Sequence, residues 1–290
     1  MDFAQDLTNE ADGEINNFDG SLLVGGTANN EAEGFVGGRG QFVADGGWTN
    51  SGVMFFTGTT DILGDVVNSN SGQIVTSGST TTTFYDDLEH NGAEIRTSLG
   101  STTVIGGSAT GAGPYTGAGT VYFEGDLRPG NSPGTVTFGG DVVLGPSSAT
   151  LIELAGSDVG EYDQLVIAGN LQAGGQLQVD LLDGFAPQAG DLFDILDFAT
   201  QSGSFAARNL PGLGDGLVWD TSQLLVDGPL CAGACIVPGS GDYNGNGVVD
   251  AADYTLWQDT RGSQLGLRAD GTGDGICLLY TSPSPRDATL

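Results

Sequence analysis

The runs Gln73-Ile74-Val75-Thr76, Thr80-Thr81-Thr82-Thr83-Phe84, Ile95-Arg96-Thr97, Thr102-Thr103-Val104-Ile105 and Thr120-Val121-Tyr122-Phe123 decide the fold. Each is three to five residues rich in Val, Ile, Thr and Phe, the composition of a pleated, half-buried strand. Between them stand Gly, Asn, Asp and Ser, and no helical periodicity competes. The pattern opens at Val53-Met54-Phe55-Phe56, and glycines close successive units at Gly72, Gly92, Gly113 and Gly134. A spacing of about twenty residues is that of one coil of a β-solenoid. A single coil cannot bury its own inward face, so stacking supplies the core, with Gly or Asn at corners that need positive φ. An all-β sandwich with regular hairpins shares the strand spacing.

Composition limits the partners. Seven arginines and no lysine face 37 acids, a formal charge of −30, so nucleic acid and an anionic membrane surface are both disfavoured. No apolar run reaches the roughly 18 residues of a membrane helix, so no membrane insertion is expected of this fragment. The opening Met1-Asp2-Phe3-Ala4 lacks the features of a signal peptide, and the chain is read as a piece of a longer protein. At the other end, Cys277-Leu278-Leu279-Tyr280-Thr281-Ser282-Pro283-Ser284-Pro285-Arg286-Asp287 matches the translation of a transposon-end sequencing adapter. Residues 277–290 are therefore read as adapter read-through and set aside. Cys231 and Cys235 remain, with no other Cys or His nearby to complete a zinc site. They read as a small structural disulfide of an oxidising compartment, two free thiols being the alternative.

Past the first coils, Leu127-Arg128-Pro129-Gly130-Asn131-Ser132-Pro133-Gly134-Thr135 is followed by Val136 to Leu144, Leu151-Ile152-Glu153-Leu154 and Tyr162-Asp163-Gln164-Leu165. Gln176 to Leu181 then alternates with period two, and Gly203-Ser204-Phe205 through Trp219-Asp220 follows. These blocks, in this order over residues 50 to 228, resemble autotransporter-type β-strand repeat proteins. The resemblance implies a secreted or surface right-handed parallel β-helix with no shared catalytic residues.

Asp242-Tyr243-Asn244-Gly245-Asn246-Gly247-Val248-Val249-Asp250-Ala251-Ala252-Asp253 fits a twelve-residue calcium loop. Asp242, Asn244 and Asn246 stand at ligand positions one, three and five, and Gly247 makes the turn. The Val248 carbonyl, Asp250 and Asp253 serve positions seven, nine and twelve, because calcium takes six to eight hard oxygens from a tightly turning backbone. Asp at twelve, followed by Tyr254-Thr255-Leu256-Trp257, resembles a type I dockerin, which implies a short helix and a second copy of the unit. That copy shows Asp270, Thr272 and Asp274 at positions one, three and five before the adapter-like tail. The resemblance implies calcium as cofactor and a cohesin-like module or a cell-surface component as partner. Ala251 and Ala252 replace the small polar pair often used for cohesin recognition.

No catalytic set emerges. His90, the one histidine, lies in Asp86-Asp87-Leu88-Glu89-His90-Asn91-Gly92 and reads as an exposed loop residue. Asp86 with Glu89 and Glu161 with Asp163 are acid pairs that 37 acids make unremarkable, and Arg96 and Arg128 are the basic residues of the coils. Tyr85, Tyr115, Tyr122 and Trp219 suit either sugar stacking or a core.

The expected organisation is an all-β right-handed parallel β-helix or solenoid with a small α-helical, EF-hand-like dockerin module at the C-terminus. Residues 1–52 form an incomplete N-terminal β-rich segment, 53–134 the coils and 135–228 the terminal autotransporter-like region. A linker with the disulfide follows over 229–241, then the truncated dockerin over 242–276. The expected function is non-enzymatic: a secreted or cell-surface structural or adhesive protein. The alternative is a catalytic or non-catalytic subunit of an extracellular polysaccharide-degrading assembly, with polysaccharide as ligand.

Overall fold

A computed structural model describes residues 1–130, 133–214, 216–233 and 251–260. Two compact units divide the chain, one of residues 1–185 with 195–211, the other of residues 186–194 with 212 onward.

The first unit is an all-β parallel solenoid. Its strands form a ten-stranded sheet, running from Leu7–Asn9 to Ala207–Asn209, and a fourteen-stranded sheet. Every pairing within these two sheets is parallel to the coil before or after. Val53 pairs with Gln73 and Gln73 with Glu94, a displacement of about one coil each time. The larger sheet bends. In the coils of Glu14–Val24, Phe35–Ala44 and Val53–Leu63 a single long strand covers two faces, with a register shift at the bend in the first two pairings. In the middle coils the same path is broken into two strands, such as Gln73–Thr76 and Thr81–Phe84.

The stack therefore begins before Val53. Residues 1–52 carry coils of the same kind, and Phe35 pairs with both Glu14 and Val53. Alternation is harder to see there because inward positions are taken by Asn9, Asn17 and Asn30, which are polar yet buried.

Inward positions elsewhere carry the core. Phe42, Phe56, Phe84 and Phe123 are fully buried with Leu22, Met54, Ile62, Ile74 and Ile95. Burying each such side chain contributes about 1.5–3 kcal/mol. Phe42 meets Phe56 edge-on at 5.2 Å and Trp48 at 6.2 Å, the geometry favoured by the ring quadrupole. The strand Gln176–Leu181 buries Leu177 and Val179, as its alternation predicts.

Positive φ is found, as expected, at Gly64, Gly78, Gly100, Gly117 and Asn70 between strands, but not at the glycines that close the units. Gly72, Gly92 and Gly113 have no positive φ. A Cβ on Gly72 would stand 2.3 Å from the Asn50 carbonyl oxygen and 2.4 Å from Asn68 Oδ1. On Gly92 it would lie 2.5 Å from Asn68 Nδ2, and on Gly113 2.5 Å from the His90 ring. These positions exclude a side chain because a neighbouring coil occupies the space.

The second unit contains a small antiparallel sheet of Leu192–Asp194, Pro229–Ala232 and Trp219–Asp220. Residues 229–232, expected to begin a linker, are instead its central strand, and Leu230, Cys231 and Ala232 are buried. A helix, Ala251–Thr260, is the one helix among the described residues.

Candidate functional site

Asn9, Asn30, Asn50 and Asn68 occupy one inward register of the ten-stranded sheet, and His90 follows them. Their side chains form a continuous hydrogen-bonded ladder. Asn9 Nδ2 donates to Asn30 Oδ1 at 2.7 Å, Asn30 Nδ2 to Asn50 Oδ1 at 2.8 Å, and Asn50 Nδ2 to Asn68 Oδ1 at 2.8 Å. Asn68 Nδ2 then meets His90 Nδ1 at 3.1 Å, and His90 Nε2 meets the Pro114 carbonyl at 3.0 Å. The amides also donate to main-chain carbonyls at the corner: Asn30 to Gly34 and Val53, Asn50 to Gln73, and Asn68 to Gly72. Those carbonyls set the direction of the ladder, since each Nδ2 must point toward them and each Oδ1 toward the preceding amide.

That direction assigns the imidazole. Nδ1 receives N–H groups from Asn68 and from the Gly92 main chain at 3.4 Å, so it is an acceptor. Nε2 carries the proton and donates to Pro114. His90 is thus a buried strand residue in Leu88–Asn91, 1% exposed, and not the loop residue expected from its charged neighbours. Burial holds its pKa below the ordinary 6.5, against a smaller opposing effect of the Pro114 carbonyl. The ring also packs edge-on against Tyr115 at 5.1 Å, and Tyr115 stacks on Phe138 at 4.8 Å. Tyr115 is core, and burial pushes its hydroxyl pKa upward.

The acid pairs separate into individual structural roles. Asp86 accepts the Gly64 N–H at 2.7 Å, while Glu89 accepts from Asn91 at 3.0 Å. Asp163 is fully buried, its two oxygens accepting the main-chain N–H groups of Gly134 at 2.7 Å and Glu153 at 2.9 Å. Glu161 accepts instead from the main chain of Asp158.

Arg96 and Arg128 are joined in the coils by Arg39, before the expected start of the pattern at Val53, and by Arg208, past the expected end of the coils at 134. Arg39 forms a two-pronged pair with Asp19, both contacts 2.5 Å, on the wall of an open groove of about 590 Å³ with Ser21, Gln41 and Thr59. The guanidinium holds the Asp19 carboxyl below its usual range. Tyr85 is exposed and donates to Asp61 at 3.3 Å; Trp219 packs on Phe193 at 5.9 Å in the small antiparallel sheet.

Asp242, Asn244, Asn246, Val248, Asp250, Asp270, Thr272, Asp274 and Cys235 lie outside the described residues, as does the side chain of Asp253. Ala251 and Ala252 open the helix Ala251–Thr260 and are exposed. Cys231 is disulfide-bonded, with its partner outside the described residues. Among the described residues no group of three or more His, Cys, Asp or Glu side chains is placed to hold a metal.

Sequence reading missed the asparagine ladder. Its signal was present: Asn9, Asn30 and Asn68 each precede a corner glycine by four residues, and Asn50 and His90 precede one by two. Comparison with family models, curated proteins and solved structures returned no match to the chain.

Proposed function

We propose that this chain is a secreted or cell-surface structural or adhesive β-solenoid that attaches to a partner through a calcium-binding module similar to a type I dockerin. The observation that carries the reading is the spacing Asp242, Asn244, Asn246, Asp250 and Asp253 around Gly247. Those oxygen donors, completed by the Val248 carbonyl, suit a hard cation that needs six to eight ligands. The partner is a cohesin-like module or a surface component. Alanines at loop positions ten and eleven argue for recognition unlike that of an ordinary cohesin pair.

The solenoid supports a scaffolding role. His90, Asp86 and Asp163, the groups best suited to acid–base chemistry, are engaged in hydrogen bonds that hold coils and corners together. The strand blocks similar to autotransporter repeats point to the same extracellular setting.

The purified chain, incubated with acidic and neutral polysaccharides in calcium, is expected to release no product. Turnover that a single substitution abolishes would move the chain to the alternative, an enzymatic subunit of a polysaccharide-degrading assembly.

A further inference from the structure

The ladder ends at the one group in it that can change charge. Asn9 to Asn68 repeat the same amide contact at separations of 21, 20 and 18 residues, and His90 follows 22 residues later. Beyond His90 the next strand, Ala109–Gly111, sets Gly111, which has no side chain, against the His90 main chain, and the imidazole turns to the Pro114 carbonyl. The site is shaped to the ring, because a Cβ on Gly113 would lie 2.5–2.7 Å from three of its atoms.

We propose that His90 is an acid-sensitive latch: protonation at Nδ1 breaks the Asn68–His90 rung and opens the corners at Gly92 and Gly113. A neutral ring accepts at Nδ1 from Asn68 Nδ2 and the Gly92 N–H. A proton there places a donor against two donors inside the core. Reversing the Asn68 amide does not repair the clash, because its Nδ2 would then face Asn50 Nδ2 and abandon the Gly72 carbonyl. Reversal would have to run through Asn50, Asn30 and Asn9, each pinned by main-chain carbonyls.

Apart from the Pro114 carbonyl at Nε2, the surroundings offer a cation little compensation. The strand Val66–Ser69 presents neutral Asn68, and Ala109–Gly111 has no ionisable residue. Tyr115 meets the ring in a T-shaped contact and is neutral through the acid range. On His90's own strand the exposed Glu89 is held by Asn91, and in Glu94–Thr97 the Glu94 carboxylate is engaged by Thr116 Oγ1 while Arg96 is exposed. Among the described residues no carboxylate pairs with the ring.

The sign follows from the lowered pKa. The opened corner binds a proton near pH 6.5 and the closed one does not, so closure is fully favoured above about 6.5 and weakens as pH falls toward the lower folded value. One proton of difference changes the opening equilibrium by up to about tenfold per pH unit within that window.

Amide hydrogen exchange of the full chain, corrected for intrinsic rate, tests this at Gly113, which donates to the His90 carbonyl, and at Ala93, which donates to Gly72. Between pH 7.5 and 5.0 protection at both is expected to fall by about tenfold or more. In His90→Asn, which keeps an amide in the ladder but cannot titrate, it should stay level. Equal protection at the two pH values in the parent chain would overturn the latch, as would the same acid loss in His90→Asn. Ring resonances of the parent chain give a reading independent of any variant: titration of His90 at or above 6.5 also overturns it.

Discussion

Asn50→Ala removes the two middle rungs of the ladder. Asn50 is fully buried, accepts from Asn30 at 2.8 Å and donates to Asn68 at 2.8 Å and to the Gln73 carbonyl at 3.2 Å. Each of these bonds has a net worth of about 1 kcal/mol, and leaving Asn68 Oδ1 buried without a donor costs about 1–3 kcal/mol more. Part of the loss is recovered because Asn30 Nδ2 keeps Gly34 and Val53. The expected destabilisation is about 3–5 kcal/mol. At about 1.4 kcal/mol per tenfold, amide protection in the flanking coils should fall at least about a hundredfold. Asn50→Asp sharpens the test through its pH dependence. A carboxylate at 50 faces the acceptors Asn68 Oδ1 and Gln73 O, whereas a protonated carboxyl can donate to one of them. Burial raises the pKa of such a group above its unfolded value, so its stability is present at low pH and lost as pH rises through the folded pKa. Hydrogen exchange at pH 4 and pH 7 reads both variants. A loss below about 1 kcal/mol in Asn50→Ala, or an aspartate variant no more protected at pH 4 than at pH 7, would refute the ladder as a source of stability.

Gly72→Ala should cost about 1–3 kcal/mol by overpacking, since its Cβ meets the Asn50 carbonyl and Asn68 amide, and the thermal midpoint measures it. Gly160→Ala has nothing within 4 Å and a φ of 90°, so only left-handed backbone strain of about 1–2 kcal/mol applies. Asp163→Ala strips two main-chain N–H groups of a buried acceptor and should lower stability by about 3 kcal/mol or more in urea denaturation; a neutral result would remove Asp163 from the framework. Mass spectrometry of the unreduced chain should show Cys231 and Cys235 in one peptide, two hydrogens lighter than the reduced form. Quantitative thiol labelling without reductant would contradict that pairing.

The solenoid was legible where outward and inward positions differ in polarity. Gln73–Thr76, Thr102–Ile105 and Thr120–Phe123 are strands with the bounds their composition suggests. Residues 1–52 were not legible as coils because Asn9, Asn17, Asn30 and Asn50 bury amides at inward positions, and hydropathy counts such residues as surface. The same blindness misplaced His90. Its charged neighbours Asp86, Asp87 and Glu89 suggested solvent, yet alternation along Leu88–Asn91 turns its ring inward beside Leu88. Glycine spacing located the corners, and positive φ accounts for Gly64, Gly78, Gly100 and Gly117, but the reason for glycine at 72, 92 and 113 lies in contacts with the preceding coil, which local φ preferences do not carry. Leu230 and Cys231 were assigned to a linker because their partners, Phe193 and Leu192, are distant in sequence.

The proposed attachment through calcium is tested most directly by calorimetric titration of the full chain with calcium. Asp242, Asp250 and Asp253 crowd three carboxylates into one tight turn, and the ion relieves that repulsion, so binding energy becomes folding energy. Binding is expected at the weak extracellular end, with a Kd of about 10⁻⁴ to 10⁻³ M. Asp242→Ala should abolish the heat and Thr272→Ala should leave it nearly unchanged. No calcium-dependent heat or structural change at millimolar calcium would contradict the account, leaving residues 242–253 an acidic turn and the solenoid without its means of attachment.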